Sequence, residues 1–260
     1  MDFFTFEEKG PTAVVTLNSP ERKNAMSLSM IRELTTLAEE FNMRTDIKAV
    51  VLTGGPGFFS AGMDLTDLAF SDIATASLTE KRKVLGYAPA MCQAWENMVQ
   101  VTVAAIEGFC LGGGVSLASA LDFRVMARSS HIRAPEIDWG MNMSWGTLPR
   151  LLHLVGPARA KQLIIFGEDV GAQEALDWGF AQWVVDDGMA LEKALKIAGK
   201  AAGQPFAPAA MTKQTVNALA TALDPLAAHM DRDQFLLSVT DPEAMKRIMS
   251  FFQNKEVKEK

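Results

Sequence analysis

The sequence predicts an α/β fold with a helical C-terminal region, and three observations carry that prediction. Short, β-branched apolar runs alternate with helix-period segments up to about residue 185. Glycine-rich turns follow the runs rather than interrupt them. Strand, helix and strand within about 40 residues is the βαβ rhythm of an α/β fold. Beyond Leu191 the strand pattern stops and proline-punctuated helical sequence takes over.

The elements follow in order. Ala13 to Leu17 is a β-branched run ended by Asn18-Ser19-Pro20, a strand and its turn. From Ser27 to Met43, Ile31, Leu34, Ala38 and Phe41 recur at helical spacing. Ala49 to Thr53 is nearly all apolar, as a strand covered on both faces would be. It runs into the loop Gly54-Gly55-Pro56-Gly57. Residues 64–97 are more polar and predict one helix from about Thr79 to Met98. Val101 to Ile106 is a third strand, and Val115, Leu117, Ala118 and Leu121 mark a helix after the triple glycine. Phe123 to Ala127 is a fourth strand. Helices follow over about 158–166 and 171–178, with a short strand over 181–185. The tail is helical, broken by Pro205, Pro208, Pro225 and Pro242. A boundary near residue 195 divides a core of 1–195 from a helical region of 196–260.

Composition excludes several function classes. With 48% hydrophobic and 22% charged residues, the 260-residue chain reads as an ordinary globular protein. Its net charge of −6 offers no cation excess for nucleic acid. No apolar run approaches the roughly 18 residues of a spanning helix, so no membrane partner is expected. The first residues lack the basic start and apolar run of a signal peptide. Cys92 and Cys110 therefore read as reduced thiols of a cytoplasmic protein. Three scattered histidines and no C-x-x-C make a metal cage improbable.

Two glycine-centred turns are candidates for chemistry: Ser60-Ala61-Gly62-Met63-Asp64-Leu65 and Leu111-Gly112-Gly113-Gly114-Val115-Ser116. Each follows a strand, and the second opens a helix. Glycine admits close backbone approach, and the first N–H groups of a helix point outward at its positive end. That suits an anion or a developing oxyanion. The same glycines could serve only to turn a strand into a helix. No Gly-Lys-Ser/Thr follows, and no G-x-G-x-x-G, so phosphate-cradling motifs are absent. Neither turn completes a G-x-S-x-G elbow, which leaves a serine hydrolase a minor alternative. The third candidate is Ala134 to Met143, with Glu136 and Asp138 among Ile137, Trp139 and Met141. A poorly solvated carboxylate has a raised pKa suited to proton transfer. Either acid could instead cap a helix or face solvent. Asp138, two residues on in a segment expected to be extended, is read as structural.

These segments, in order and spacing, resemble the enoyl-CoA hydratase/isomerase (crotonase) family. The turn Pro20-Glu21-Arg22-Lys23-Asn24-Ala25-Met26 matches an early signature of that family. So does the pattern of Val155-Gly156, Ala158, Ala160, Gly167, Ala172, Ala175 and Gly179. The resemblance implies a spiral of ββα units that binds a coenzyme A thioester, with C-terminal helices that build a homotrimer or a hexamer of paired trimers. It implies an oxyanion hole at the N–H groups of Met63 and Gly113, with Glu136 as the proton-transfer residue. It places coenzyme A contacts at Lys23, Ala25, Ala61 and Leu65, with Ser116, Trp139 and Ser144 beside the substrate. No separate cofactor is implied, because coenzyme A belongs to the substrate.

Departures from the family pattern narrow the chemistry. Hydratases of the family usually hold water between two glutamates. The second matches Glu136, but the first falls on Ser116, whose hydroxyl is no base at neutral pH. A single glutamate resembles the double-bond isomerases, which need no water. Hydroxycinnamoyl-CoA hydratase-lyases share the Met-Asp-Leu and Gly-Gly-Gly-x-Ser patterns, but the only tyrosine here is Tyr87, and the tail offers Phe235. The dienoyl-CoA isomerase pattern needs further acids and meets Ser116 and Ser144. Met143-Ser144-Trp145 replaces the family's usual Pro-Gly, which predicts a bulky or aromatic-lined acyl pocket walled by residues 64–98 and the tail. The expectation is thus enoyl-CoA isomerisation, with hydration or lyase chemistry as alternatives and a non-catalytic acyl-CoA binder as the competing class.

Overall fold

The computed structural model describes residues 3–67 and 75–258. Two sheets run through it. The larger has the order β1 (Phe4–Lys9), β2 (Thr12–Leu17), β3 (Ala49–Thr53), β5 (Val101–Ile106), β7 (Phe123–Ala127), β10 (Trp183–Val185). Only the β1–β2 hairpin is antiparallel there; every other neighbouring pair is parallel. The smaller has the order β4 (Phe58–Ser60), β6 (Phe109–Leu111), β8 (His131–Arg133), β9 (Val170–Gly171), with β9 antiparallel. Successive strands therefore alternate between sheets: β3 to β4, β5 to β6, β7 to β8. Helices follow each pair: α2 (Leu78–Val84) and α3 (Tyr87–Glu96), then α4 (Gly113–Ala120), then α5 (Thr147–Lys161). That is the ββα spiral the sequence resemblance implies.

The apolar runs behave as their composition demands. β3 is buried along its whole length because both faces of the large sheet are covered. One face meets the main core, which includes Ile31, Leu34, Leu52, Trp95 and Ile106. Ala190, Ala194, Ala198 and Ala202 of α7 (Ala190–Ala202) lie on the other, against Val51, Val103 and Val125. Four alanines at i, i+4 spacing let a helix lie close on a β-branched surface. The boundary expected near residue 195 thus falls inside α7, a helix that packs on the large sheet.

Several elements differ from expectation. α1 (Leu28–Asn42) forms as read, capped by Ser27 Oγ accepting from Met30 N at 3.2 Å. The single helix expected over 79–98 is two, divided at Gly86, and 68–74 of the polar stretch lies outside the described residues. The helix expected to begin near 158 begins at Thr147 and kinks at Gly156, where φ is 77° and ψ 169°, ahead of Pro157. It continues as a π-helical turn over Gln162–Phe166, and α6 (Ala172–Trp178) follows. The tail folds as α8 (Phe206–Ala220), α9 (Asp224–Ala228), α10 (Asp231–Ser238) and α11 (Pro242–Lys258). Among the described residues, no helix is long and apolar enough to cross a membrane.

Candidate active site

The site forms where the smaller sheet hands its strands to turns. After β4, Ser60 Oγ donates to Asn24 O at 2.7 Å and accepts from Gly62 N at 3.1 Å. Ala61 N donates to Lys23 O at 2.9 Å, Met26 N to Gly62 O at 2.7 Å and Asp64 N to Met26 O at 3.0 Å. The early turn and the 60–64 turn are therefore stitched on both sides of Met63. Asn24 anchors them from beneath, its buried amide donating to Gly54 O and Phe59 O. Arg22 pairs with Asp64, which also accepts from Thr66 N and Thr66 Oγ1. These contacts outweigh burial and hold the Asp64 carboxyl below its usual range. Met63 N–H has no hydrogen-bond partner among the described residues.

The second turn comes from β6. Gly112 has φ 48° and ψ −115°, and its N–H donates to Arg133 O of β8 at 2.8 Å. α4 then starts at Gly113, whose N–H, at the helix start, has no acceptor among the described residues. A Cβ on Gly62 would lie 2.8 Å from Leu111 O and 3.1 Å from Gly113 N, so only glycine lets the two turns touch. Two free N–H groups, those of Met63 and Gly113, consequently stand on adjacent turns. Such a pair can polarise a carbonyl oxygen.

Glu136 meets them from a 3-10 turn, Pro135–Trp139, closed by Gly140 at φ 74°. Oε1 lies where a Cβ on Gly112 would come within 2.6 Å of it. Oε2 is buried and has no hydrogen-bond partner among the described residues. Loss of water around the carboxyl, with a smaller push from the Asp138 charge, raises the Glu136 pKa to about 7. The extended segment expected around Glu136 is this turn instead. Asp138 sits on its outer side and accepts from Arg133 Nη2 at 2.8 Å.

A cavity of about 40 Å³ joins these groups. It is lined by Ala61, Met63, Leu65, Gly112, Ser116, Glu136, Trp139 and Ser144 of the expected segments, and also by Met141, Met143, Trp145 and Phe235. Ser116 is fully buried, its Oγ 2.6 Å from Thr147 Oγ1 and 3.4 Å from Gly112 O. Gly113 borders the cavity through its contact with the Trp145 ring. Lys23 and Ala25 do not line it; they lie in the early turn, with exposed Lys23 placing Nζ 6.0 Å from the Phe109 ring centroid. The aromatic part of the lining is what Met143-Ser144-Trp145 led one to expect; lining by Met141 and Met143 was not foreseen. Phe235 comes from α10 in the tail, which the sequence reading expected to help wall the pocket.

Comparisons with known proteins find similar sequences and folds. Residues 7–258 match the enoyl-CoA hydratase/isomerase family model. A short-chain-enoyl-CoA hydratase of Clostridium acetobutylicum is 31% identical over 212 residues, 81% of this chain and 79% of that protein. The mitochondrial Delta(3,5)-Delta(2,4)-dienoyl-CoA isomerase of Mus musculus is 32% identical over 66% of this chain and 55% of its own. A crystal structure of an enoyl-CoA hydratase/isomerase from Xanthobacter autotrophicus superposes with a TM-score of 0.87 at 27% identity, covering 96% of this chain and 91% of that one.

Proposed function

The chain belongs to the enoyl-CoA hydratase/isomerase family, and within it we propose that the protein moves a double bond in an enoyl-CoA thioester, with Glu136 carrying the proton. The observation behind this is the buried Glu136 carboxylate, whose Oε2 has no hydrogen-bond partner among the described residues, next to two free amides. The thioester carbonyl lies between Met63 N–H and Gly113 N–H, each donor contributing about 3 to 4 kcal/mol as negative charge develops on oxygen. Glu136 takes a proton from C2 of a 3-enoyl group, and the electron pair spreads into a dienolate. The same carboxyl returns the proton at C4, so the double bond moves to C2–C3 with no water consumed. A carboxyl with a pKa of about 7 serves both steps at neutral pH.

Coenzyme A enters as part of the substrate. Lys23, the exposed cation beside the site, meets its phosphates, while Ala25, Ala61 and Leu65 contact the rest of it. Trp139 and Ser144 wall the acyl group. Ser116, held against Thr147, lacks the basicity to activate water, which is why isomerisation is preferred to hydration.

Hydration is the second reading, favoured by the hydratase names of the relatives. The two separate when 2-enoyl-CoA and 3-enoyl-CoA are supplied individually. Isomerisation of the 3-enoyl ester is expected; efficient water addition without isomerisation would sink the preference. Affinity for thioesters with no turnover across a panel would identify a binder rather than an enzyme.

We also propose that the tail helices assemble a cytoplasmic homotrimer, or a hexamer of paired trimers. Met211, Val216, Leu219, Leu223 and Leu226 of the α8–α9 region are each more than half exposed, an apolar surface that a second copy would cover. Light scattering gives the mass; a monomer at micromolar concentration would count against it.

A further inference from the structure

Three non-glycine residues with positive φ are found among the described residues, and all border the site: Lys23 (54°), Asn24 (52°) and Trp145 (68°). A bulky aromatic in the left-handed region persists only where its surroundings over-determine it. Around Trp145 they do. Arg150 Nη1 donates to Trp145 O at 3.1 Å and to Gly146 O at 3.0 Å. Its Nε and Nη2 are fixed in turn by Glu96 at 3.0 and 2.8 Å. From the tail, Asp231 accepts Gly146 N at 2.7 Å. Three elements, α3, α5 and α10, thus converge on one short segment.

What they hold in place is the indole. A Cβ built on Gly113 would meet Trp145 Cη2 and Cζ3 at 2.5 Å, so the six-membered ring packs directly against a residue of the amide pair. Trp145 itself is 7% exposed. Any acyl chain whose carbonyl sits at Gly113 N–H has to leave past that ring. The remaining space is small, about 40 Å³. Met63, Met141 and Met143 on the other walls can change rotamer, as methionine does readily. The indole is buried and packed against Gly113, on a backbone that Arg150 and Asp231 fix, so it has little room to change rotamer. The rigid wall, not the soft ones, sets the length limit.

We propose that Trp145 determines acyl specificity and restricts the protein to short-chain acyl-CoA thioesters. This rests on the reading that the Glu136 site holds an acyl-CoA ester. The test is calorimetric binding of butyryl-CoA and octanoyl-CoA to the full chain, wild type and Trp145→Gly. Glycine suits φ 68° and removes the wall without straining the turn. The wild type is expected to bind butyryl-CoA at least tenfold tighter than octanoyl-CoA, and Trp145→Gly to reverse that order. Trp145→Phe, a smaller ring in the same clamp, should give an intermediate ratio and carries the test if the glycine variant fails to fold. Equal affinities in the wild type, or a ratio unmoved by both substitutions, would overturn the proposal. Selectivity in binding with no turnover of any enoyl-CoA would overturn the reaction assigned to Glu136 and support the wall; binding of neither ester would overturn both.

Discussion

Two buried polar regions of this molecule differ in a way that separates scaffolding from chemistry. A groove of about 650 Å³ lies between α8 and the ends of α4, α5 and β7. Its buried ions are matched: Arg150 with Glu96 at 2.8 Å and Lys213 with Asp122 at 2.7 Å. Lys213 also donates to Gln100 O at 2.8 Å. The Glu136 cavity is far smaller and holds a carboxylate with an unpartnered oxygen. Nearly complete burial costs Lys213 part of its basicity, which Asp122 partly restores; Glu136 has no counter-ion among the described residues, and a hydrogen bond from its own backbone offsets only part of its burial and of the Asp138 charge. Volume therefore does not mark the reactive place. What sets the proposed site apart is a nearly fully buried carboxyl with no counter-ion among the described residues and a raised pKa.

That contrast can be broken experimentally. Glu136→Gln should lower turnover of 3-enoyl-CoA by about 10²–10⁴, the usual worth of a positioned acid–base group, in steady-state assays. Glu96→Gln should instead cost stability, about 3–5 kcal/mol by denaturant unfolding, because it strands the buried Arg150 charge. The same Glu136→Gln change should make the fold more stable at alkaline pH. Folded Glu136 holds its proton up to about pH 7, whereas an unfolded glutamate releases it near pH 4.5. Its contribution is thus fully present below pH 4.5 and lost as pH rises through 7, a loss of roughly 3 kcal/mol. Unfolding of wild type and variant at pH 5 and pH 8 checks this, and an equal difference at both would contradict it. Asp138→Asn should have the smallest effect. It removes a half-exposed pair with Arg133 worth about 1 kcal/mol or less. It also removes one cause of the raised Glu136 pKa, so the rising limb of the pH–rate profile should move slightly toward acid.

What the sequence made legible follows the same division. Strands β2, β3, β5 and β7 could be read because burial on both faces of the large sheet demands unbroken apolar runs. β4, β6 and β8 are three residues each, too short for any period, yet they carry the turns that build the site. β1 was missed because it is an edge strand with one buried residue. α5 was read as starting late because Gly156-Pro157 looks like a helix boundary, whereas the chain bends there and the helix starts a turn after Trp145. The glycine turns and Glu136 were legible as motifs, because close backbone approach leaves glycine few substitutes. Neither the backbone of Trp145 nor the Arg150–Glu96 clamp is visible in one dimension. Each depends on residues 54 or more positions apart meeting in space.

The central claim is that Glu136 moves a proton at the carbon next to a thioester held by Met63 and Gly113. Supplying 3-enoyl-CoA deuterated at C2 to wild type and Glu136→Gln, and following loss of deuterium from C2 by nuclear magnetic resonance, tests it directly. Rapid loss with the wild type that slows at least a hundredfold in Glu136→Gln is the expected result. Loss at the same rate in both, or none with the wild type, would contradict it.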